Sequence, residues 1–124
     1  MQTIRSLSRT SVPAGRVTDP FAVSSDGRQL VAIAPDGELR VWNTETRDTR
    51  AVMETGLSHP EVLALAPDDR IAAIGCRNGA VELWDLTTKN KVTHLPPGPG
   101  AVLALAFSPD SRFVAVGFDQ GQVE

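Results

Sequence analysis

Asn78-Gly79-Ala80-Val81-Glu82-Leu83-Trp84-Asp85 stands 42 residues downstream of Asp36-Gly37-Glu38-Leu39-Arg40-Val41-Trp42-Asn43 and 42 residues upstream of Gln120-Gly121-Gln122-Val123-Glu124. Arg28, Arg70 and Arg112 keep the same spacing, as do Asp26, Asp68 and Asp110. A period of about 40 to 45 residues constrains a fold strongly, because each unit is one small element that cannot bury both its faces and must stack on its neighbours. Turn residues recur about every eight to twelve positions, and apolar and polar side chains alternate between them. That pattern predicts strands rather than the helix pairs of other repeats with a similar period.

The first unit reads as strands at Pro20 to Ser24, Gln29 to Ile33, Glu38 to Trp42 and about Thr49 to Met53, with turns at Ser25-Asp26-Gly27 and Pro35-Asp36-Gly37. The inner segments are nearly continuous apolar runs, as expected of strands covered on both faces. The second unit repeats them at Glu61 to Ala66, Arg70 to Gly75, Ala80 to Asp85 and Lys91 to Leu95. After the rigid loop Pro96-Pro97-Gly98-Pro99-Gly100, a third unit supplies Ala101 to Phe107, Arg112 to Gly117 and a short strand from Gln122. The units run at about 19–60, 61–100 and 101–124, preceded by an N-terminal segment, 1–18, with a weak outer strand at 5–12. The Asp-Gly and Asn-Gly pairs predict two-residue hairpins with positive φ at Gly37, Gly79 and Gly121.

These residues resemble the WD40 repeat family, whose unit reads roughly Gly-His, strand, Ser-Pro-Asp-Gly, strand, Asp-Gly, strand, Trp-Asp. Ser108-Pro109-Asp110, Pro67-Asp68-Asp69 and Ser25-Asp26-Gly27 match its first turn, and Trp84-Asp85 its signature, from which Trp42-Asn43 departs by one residue. The resemblance implies an all-β fold of four-stranded antiparallel sheets set radially as propeller blades, of which this chain supplies about two and a half. The small residues Ala64, Ala66, Ala72, Ala73 and Gly75 suit strands close to such a crowded axis. A closed propeller takes about four to eight blades, so at 42 residues each even four need about 168 residues, more than the 124 present. An incomplete ring is the expectation.

Many WD40 units hold a buried hydrogen-bonded set of His, Ser or Thr, Asp and Trp, and the resemblance carries that set over only in part. The Asp position reads Asp36, Asn78 and Gln120, the Trp position Trp42 and Trp84, and the Ser or Thr position Ala or Gly. His59 is either a displaced equivalent of the Gly-His histidine or an exposed loop residue, and His94 falls in an outer strand. The residues expected to be structural are Asp36, Gly37, Trp42, Gly79, Trp84, Asp85 and Gly121.

Catalytic and ligand-binding patterns are not found. Two unrelated histidines, one cysteine and turn aspartates make neither a metal-ligand spacing nor a nucleophile elbow, and Gly98-Pro99-Gly100 lacks the helix and Lys of a phosphate loop. No enzyme activity, metal or cofactor is therefore expected. Asp68-Asp69 reads as a turn by its alignment with Asp110-Ser111 and Asp26-Gly27. Net charge is -3, which gives no reason to expect nucleic acid, and no apolar run approaches the ~18 to 20 residues that span a bilayer. Cys76 alone cannot make an internal disulfide and reads as a small buried hydrophobe, so a soluble cytoplasmic protein is expected.

The function the resemblance implies is a non-catalytic scaffold for protein partners, with self-association or pairing with further repeats. Its alternative is the regulatory or sensor portion of a larger signalling enzyme, a kinase or NTPase. In the family the loops between blades, and those between the second and third strands, share one face. Here that face would carry His59, Glu61, Arg77, Gly98, Pro99, Phe118 and Asp119, with an exposed Phe118 beside Asp119 and Arg77 as the aromatic and Arg anchors of an interface.

Overall fold

The computed structural model describes residues 20–119 and 123. The N-terminal segment with its strand at 5–12, and the turn at Gly121, lie outside the described residues. The first sheet takes β1 (Phe21–Val23), β2 (Gln29–Ile33), β3 (Glu38–Asn43) and β4 (Thr49–Glu54), antiparallel and in chain order. The second takes β5 (Pro60–Leu65), β6 (Ile71–Cys76), β7 (Val81–Asp85) and β8 (Asn90–Leu95) in the same way. In the third, β9 (Val102–Phe107) pairs with β10 (Val114–Phe118), and Val123 bridges to Gly117. The described residues contain no helix. The architecture is all-β, an open set of blade-like sheets.

Local chemistry accounts for the hairpins. Between β1 and β2, the Ser24 hydroxyl donates to Asp26 Oδ1 (2.6 Å) and accepts from the Gln29 N–H (3.0 Å), while the Arg28 N–H donates to Asp26 Oδ1 (2.9 Å). Ser108 and Asp110 repeat this between β9 and β10. In the second sheet Ala66 replaces the serine, and only the Arg70 N–H to Asp68 Oδ1 bond (3.0 Å) remains. The aspartate holds the turn by accepting from the backbone two residues on.

The turns on the opposite edge differ from the two-residue hairpins expected. Gly37 and Gly79 do lie at φ 90° and 89°, but Asp36 and Asn78 are not in the positive-φ region. Each loop holds three residues, Pro35-Asp36-Gly37 or Arg77-Asn78-Gly79, closed by Gly37 N–H to Ala34 O and Gly79 N–H to Cys76 O. A three-residue hairpin loop of this sort places its glycine last, in the left-handed region. A second constraint acts on both glycines: a Cβ on Gly37 would lie 2.6 Å from the Leu57 carbonyl oxygen, and one on Gly79 2.7 Å from that of Gly100. The linker to the next sheet is seated on each glycine.

Pairing register sorts the side chains onto two faces. On the inner face of the first sheet, Val31, Ile33, Leu39, Val41 and Met53 meet Leu63, Ala72, Ile74, Cys76 and Trp84 of the second. The second sheet's other face, with Val62, Val81, Leu83 and Leu95, meets Val102, Leu105, Val116 and Phe118 of the third. Two apolar layers therefore join three sheets. Polar clamps support them: Asp69 accepts from the Ser25 N–H (2.8 Å) and hydroxyl (2.6 Å), and the Asp68 N–H donates to Ser111 Oγ (3.3 Å).

Candidate interaction face

Three of the expected site residues come together at one edge of the second sheet. His59 precedes β5, Glu61 lies within it, and Arg77 opens the loop after β6. The Arg77 N–H donates to the His59 carbonyl (3.0 Å), and Arg77 Nε meets Glu61 Oε1 at 3.0 Å. All three side chains are exposed. His59 sits at φ 53°, a left-handed conformation uncommon for any residue but glycine, directly before the buried Pro60. The bond from Arg77 helps hold that backbone in place.

Gly98 and Pro99 belong to the linker from the second sheet to the third. The Gly98 N–H donates to the Gly79 carbonyl (3.1 Å), which ties the linker to the loop that begins at Arg77. Asp119 is exposed, and its N–H donates to the Ala101 carbonyl (2.9 Å). Phe118 corrects the sequence reading: it is 6% exposed, lies inside β10 and packs with Val81, Val102 and Val116. Alternation places it on the same face as Val114 and Val116. Its ring fills the space beside Gly98, where a Cβ would come within 2.1 Å of it. Phe118 supports the loop from below and offers nothing to a partner.

The structural residues divide in the same way. Asp36 accepts from the Glu38 N–H (3.0 Å) and Asn78 from the Ala80 N–H (3.0 Å), each bracing its own turn. Asp85 caps the loop after β7; the Thr88 N–H first, then the Thr87 N–H and Arg70, hold its carboxyl below the ordinary range. Trp84 donates from Nε1 to Glu82 Oε1 (3.0 Å), whereas the buried Trp42 Nε1 has no partner among the described residues. Sequence reasoning missed this difference, although the 42-residue register shows it: Arg40, a donor, stands where Glu82 stands. Arg40 is instead paired with Glu38.

Cys76 is buried, and burial above all, with the Glu82 and Glu61 carboxylates adding to it, pushes its thiol up to about 11. Such a thiol stays protonated and unreactive near neutral pH. His94 is exposed on β8. Among the described residues no group of three or more His, Cys, Asp or Glu could hold a metal, and no helix is long and apolar enough to cross a membrane.

Residues 89–123 match the family model for the WD domain, G-beta repeat. The chain carries a WD40 repeat. The matched WD40 unit takes β8 from the second sheet and β9 and β10 from the third, so the repeat in sequence is staggered against the sheet in space. Among 829 similar chains of solved structure is one of hydrazine synthase from Kuenenia stuttgartiensis. It aligns with a TM-score of 0.71 at 18% identity, over 80% of this chain and 28% of that one. The likeness shows the fold, and this chain spans little more than a quarter of that structure's length. No curated protein matches the sequence.

Proposed function

We propose that the chain is a non-catalytic WD40 scaffold that binds protein partners, and that His59, Glu61, Arg77, Gly98, Pro99 and Asp119 form part of the binding face. The observation that carries the proposal is the exposed Arg77–Glu61 pair, joined through backbone to a strained His59. Strained backbone persists where the surrounding structure over-determines it, and it concentrates at functional sites. Here two packed apolar layers supply the rigid support, while the loops vary without entering the core. Arginine on such a face can hold a planar acceptor and contribute disproportionately to binding.

The reading extends to the whole chain as three units, at about 19–60, 61–100 and 101–124, in the cytoplasm, with proteins rather than nucleic acid as partners. A net charge of -3 and a single buried thiol support it. The test is affinity capture by the tagged full-length gene product, comparing the wild type with a His59→Ala/Arg77→Ala variant and with Thr87→Ala on the opposite edge. The loop variant loses the captured partner and Thr87→Ala keeps it. Equal capture by all three would refute the assignment.

A further inference from the structure

The first sheet's outer face, turned away from the second sheet, is buried in its middle and bare at its sides. Alternation puts Phe21, Val23, Leu30, Trp42 and Val52 on it, opposite the face of Val31, Ile33 and Leu39 that meets the second sheet. Leu30 on β2 and Trp42 on β3, partners in register, are 9% and 4% exposed. Phe21 and Val23 on β1 and Val52 on β4 are exposed. Side chains on one face of a sheet shield one another's flanks and leave their tops to a second layer. Trp84, on the matching face one repeat later, is 9% exposed with the first sheet laid over it. Trp42 is buried more deeply, although no described sheet lies on its side.

The pattern of burial says how wide the cover is. A stacked sheet reaches the first strand: Leu63, one repeat after Phe21, is 9% exposed beneath the first sheet, whereas Phe21 is 62% exposed. A cover that seals the two middle strands and stops short of both flanking ones is about one extended segment wide, since strands lie ~4.8 Å apart. It belongs to this chain, because Leu30 and Trp42 are buried within the single chain.

Charge points to the segment that leads into β1. Glu38 and Glu54 stand directly opposite one another on this face, at the edge where Pro20 enters the sheet and its carbonyl accepts from the Ile33 N–H (3.1 Å). Like charges so placed repel, and Arg40, bonded to Glu38, brings one cation to two carboxylates. The second sheet has Ala80 and Pro96 at these positions. Residues 1–18 carry Arg5, Arg9 and Arg16 and no acid, interspersed with Ile4, Leu7 and Val12. From β1 to β3 is two strand spacings, about 10 Å, which about three extended residues cover. The segment is long enough to reach both the acidic edge and the Leu30–Trp42 pair.

We propose that residues 1–18 form an intramolecular strap across β2 and β3 of the first sheet, with Ile4 and Leu7 over Leu30 and Trp42 and the arginines at the Glu38–Glu54 edge. The strap closes the face on which another sheet could stack. The inference rests on this sheet face and not on the loop site: His59→Ala/Arg77→Ala leaves the strap in place, so either reading can fail alone.

NMR on the full chain tests it, with Cys76→Ala removing the native thiol and Ser8→Cys carrying a nitroxide. The two tryptophans give two indole N–H resonances. That of Trp42 loses most of its intensity, while that of Trp84, a sheet further away, loses less. Ile4→Asp/Leu7→Asp in the labelled chain restores the Trp42 signal, and Arg16→Glu restores it in part. A second readout needs no label: in Trp84→Phe the remaining indole is shielded from acrylamide, and Ile4→Asp/Leu7→Asp opens it to quenching. Equal broadening of the two indoles, or broadening and quenching unmoved by Ile4→Asp/Leu7→Asp, would overturn the proposal. So would equal broadening of an isotopically labelled chain by a nitroxide on a different copy, which would assign the cover to a second molecule.

Discussion

Trp42 and Trp84 occupy the same place in two successive repeats, each followed by a residue whose side-chain oxygen caps the next loop through backbone N–H groups. Their surroundings differ. Trp84 joins the apolar layer between the first and second sheets and donates its indole hydrogen to Glu82. Trp42 lies outside both apolar layers, beside a sheet face whose Phe21 is 62% exposed, and its indole hydrogen is unmatched among the described residues. The repeat thus specifies the position of the ring, while a neighbouring sheet and one acceptor two residues earlier decide what the ring contributes.

The sharpest test of that contrast is to remove both rings. Trp84→Ala should cost ~3 to 5 kcal/mol, as truncations of large core aromatics do. Trp42→Ala should cost less, by about 1 kcal/mol or more, because it also removes a buried donor whose desolvation is uncompensated. Chemical denaturation of the two variants measures both losses. Equal losses would show that the unmatched indole donor of Trp42 carries no penalty.

The covered face also holds Cys76, and pH reads its burial. The thiol's value is raised from about 9 to about 11, so the folded state keeps a proton that the unfolded chain releases over that interval. This contribution is complete below about pH 9, falls as pH rises toward about 11, and changes no further above it; linkage makes the loss on the order of 2 to 3 kcal/mol. Denaturation midpoints of wild type and Cys76→Ala at pH 8 and pH 11 isolate the effect. The variant should lack this part of the alkaline decline. Parallel pH profiles would mean that the thiol is not sealed between the sheets.

Gly75 and Gly117 sharpen the comparison at the third sheet, since they share a register position and differ in what lies over them. Gly75→Ala forces a Cβ against Val102 and should cost about 1 to 3 kcal/mol by overpacking. Gly117→Ala meets only ordinary contact with Ala104 and should be neutral, or stabilising by up to about 1 kcal/mol because glycine is poor in a strand. Thermal melts of the two single variants decide this. If Gly117→Ala loses as much as Gly75→Ala, the third sheet's outer face is already filled.

Strands and turns were legible because their causes are local: the alternation, the Asp turn caps and the left-handed glycines all lie within a few residues of what they determine. The glycine loops were legible in place but not in length, since Asp36-Gly37 is compatible with two-residue and three-residue loops, and the seat for the linker at Leu57 helps to fix the choice. Phe118 was misread because one strand boundary moved by one residue, and what fixes that boundary is the gap beside Gly98, 20 positions away in sequence. The Ser25–Asp69 clamp needs two sheets already stacked, so no pattern within one repeat announces it. The loop site was legible as a set of loops, while the Arg77–Glu61 pairing depends on the register of β5 and β6.

The smallest effect tests the acceptor itself. In the second sheet the residue two before the tryptophan is Glu82, whose Oε1 lies 3.0 Å from the indole nitrogen. In the first it is Arg40, which has donors only and is engaged by Glu38. Arg40→Gln places a side-chain carbonyl on the same strand face and removes only a partly exposed ion pair, which contributes little. A carboxylate there would mimic Glu82 more closely but would set two negative charges together with Glu38, so the amide is the cleaner substitution. A net gain of about 0.5 to 1.5 kcal/mol is expected, the usual yield of one buried hydrogen bond. The reverse change, Glu82→Gln, keeps an acceptor and should change little. The indole N–H resonance of Trp42 should shift downfield in Arg40→Gln while that of Trp84 stays in place. A gain in stability without that shift would assign the benefit to the lost charge rather than to a new bond.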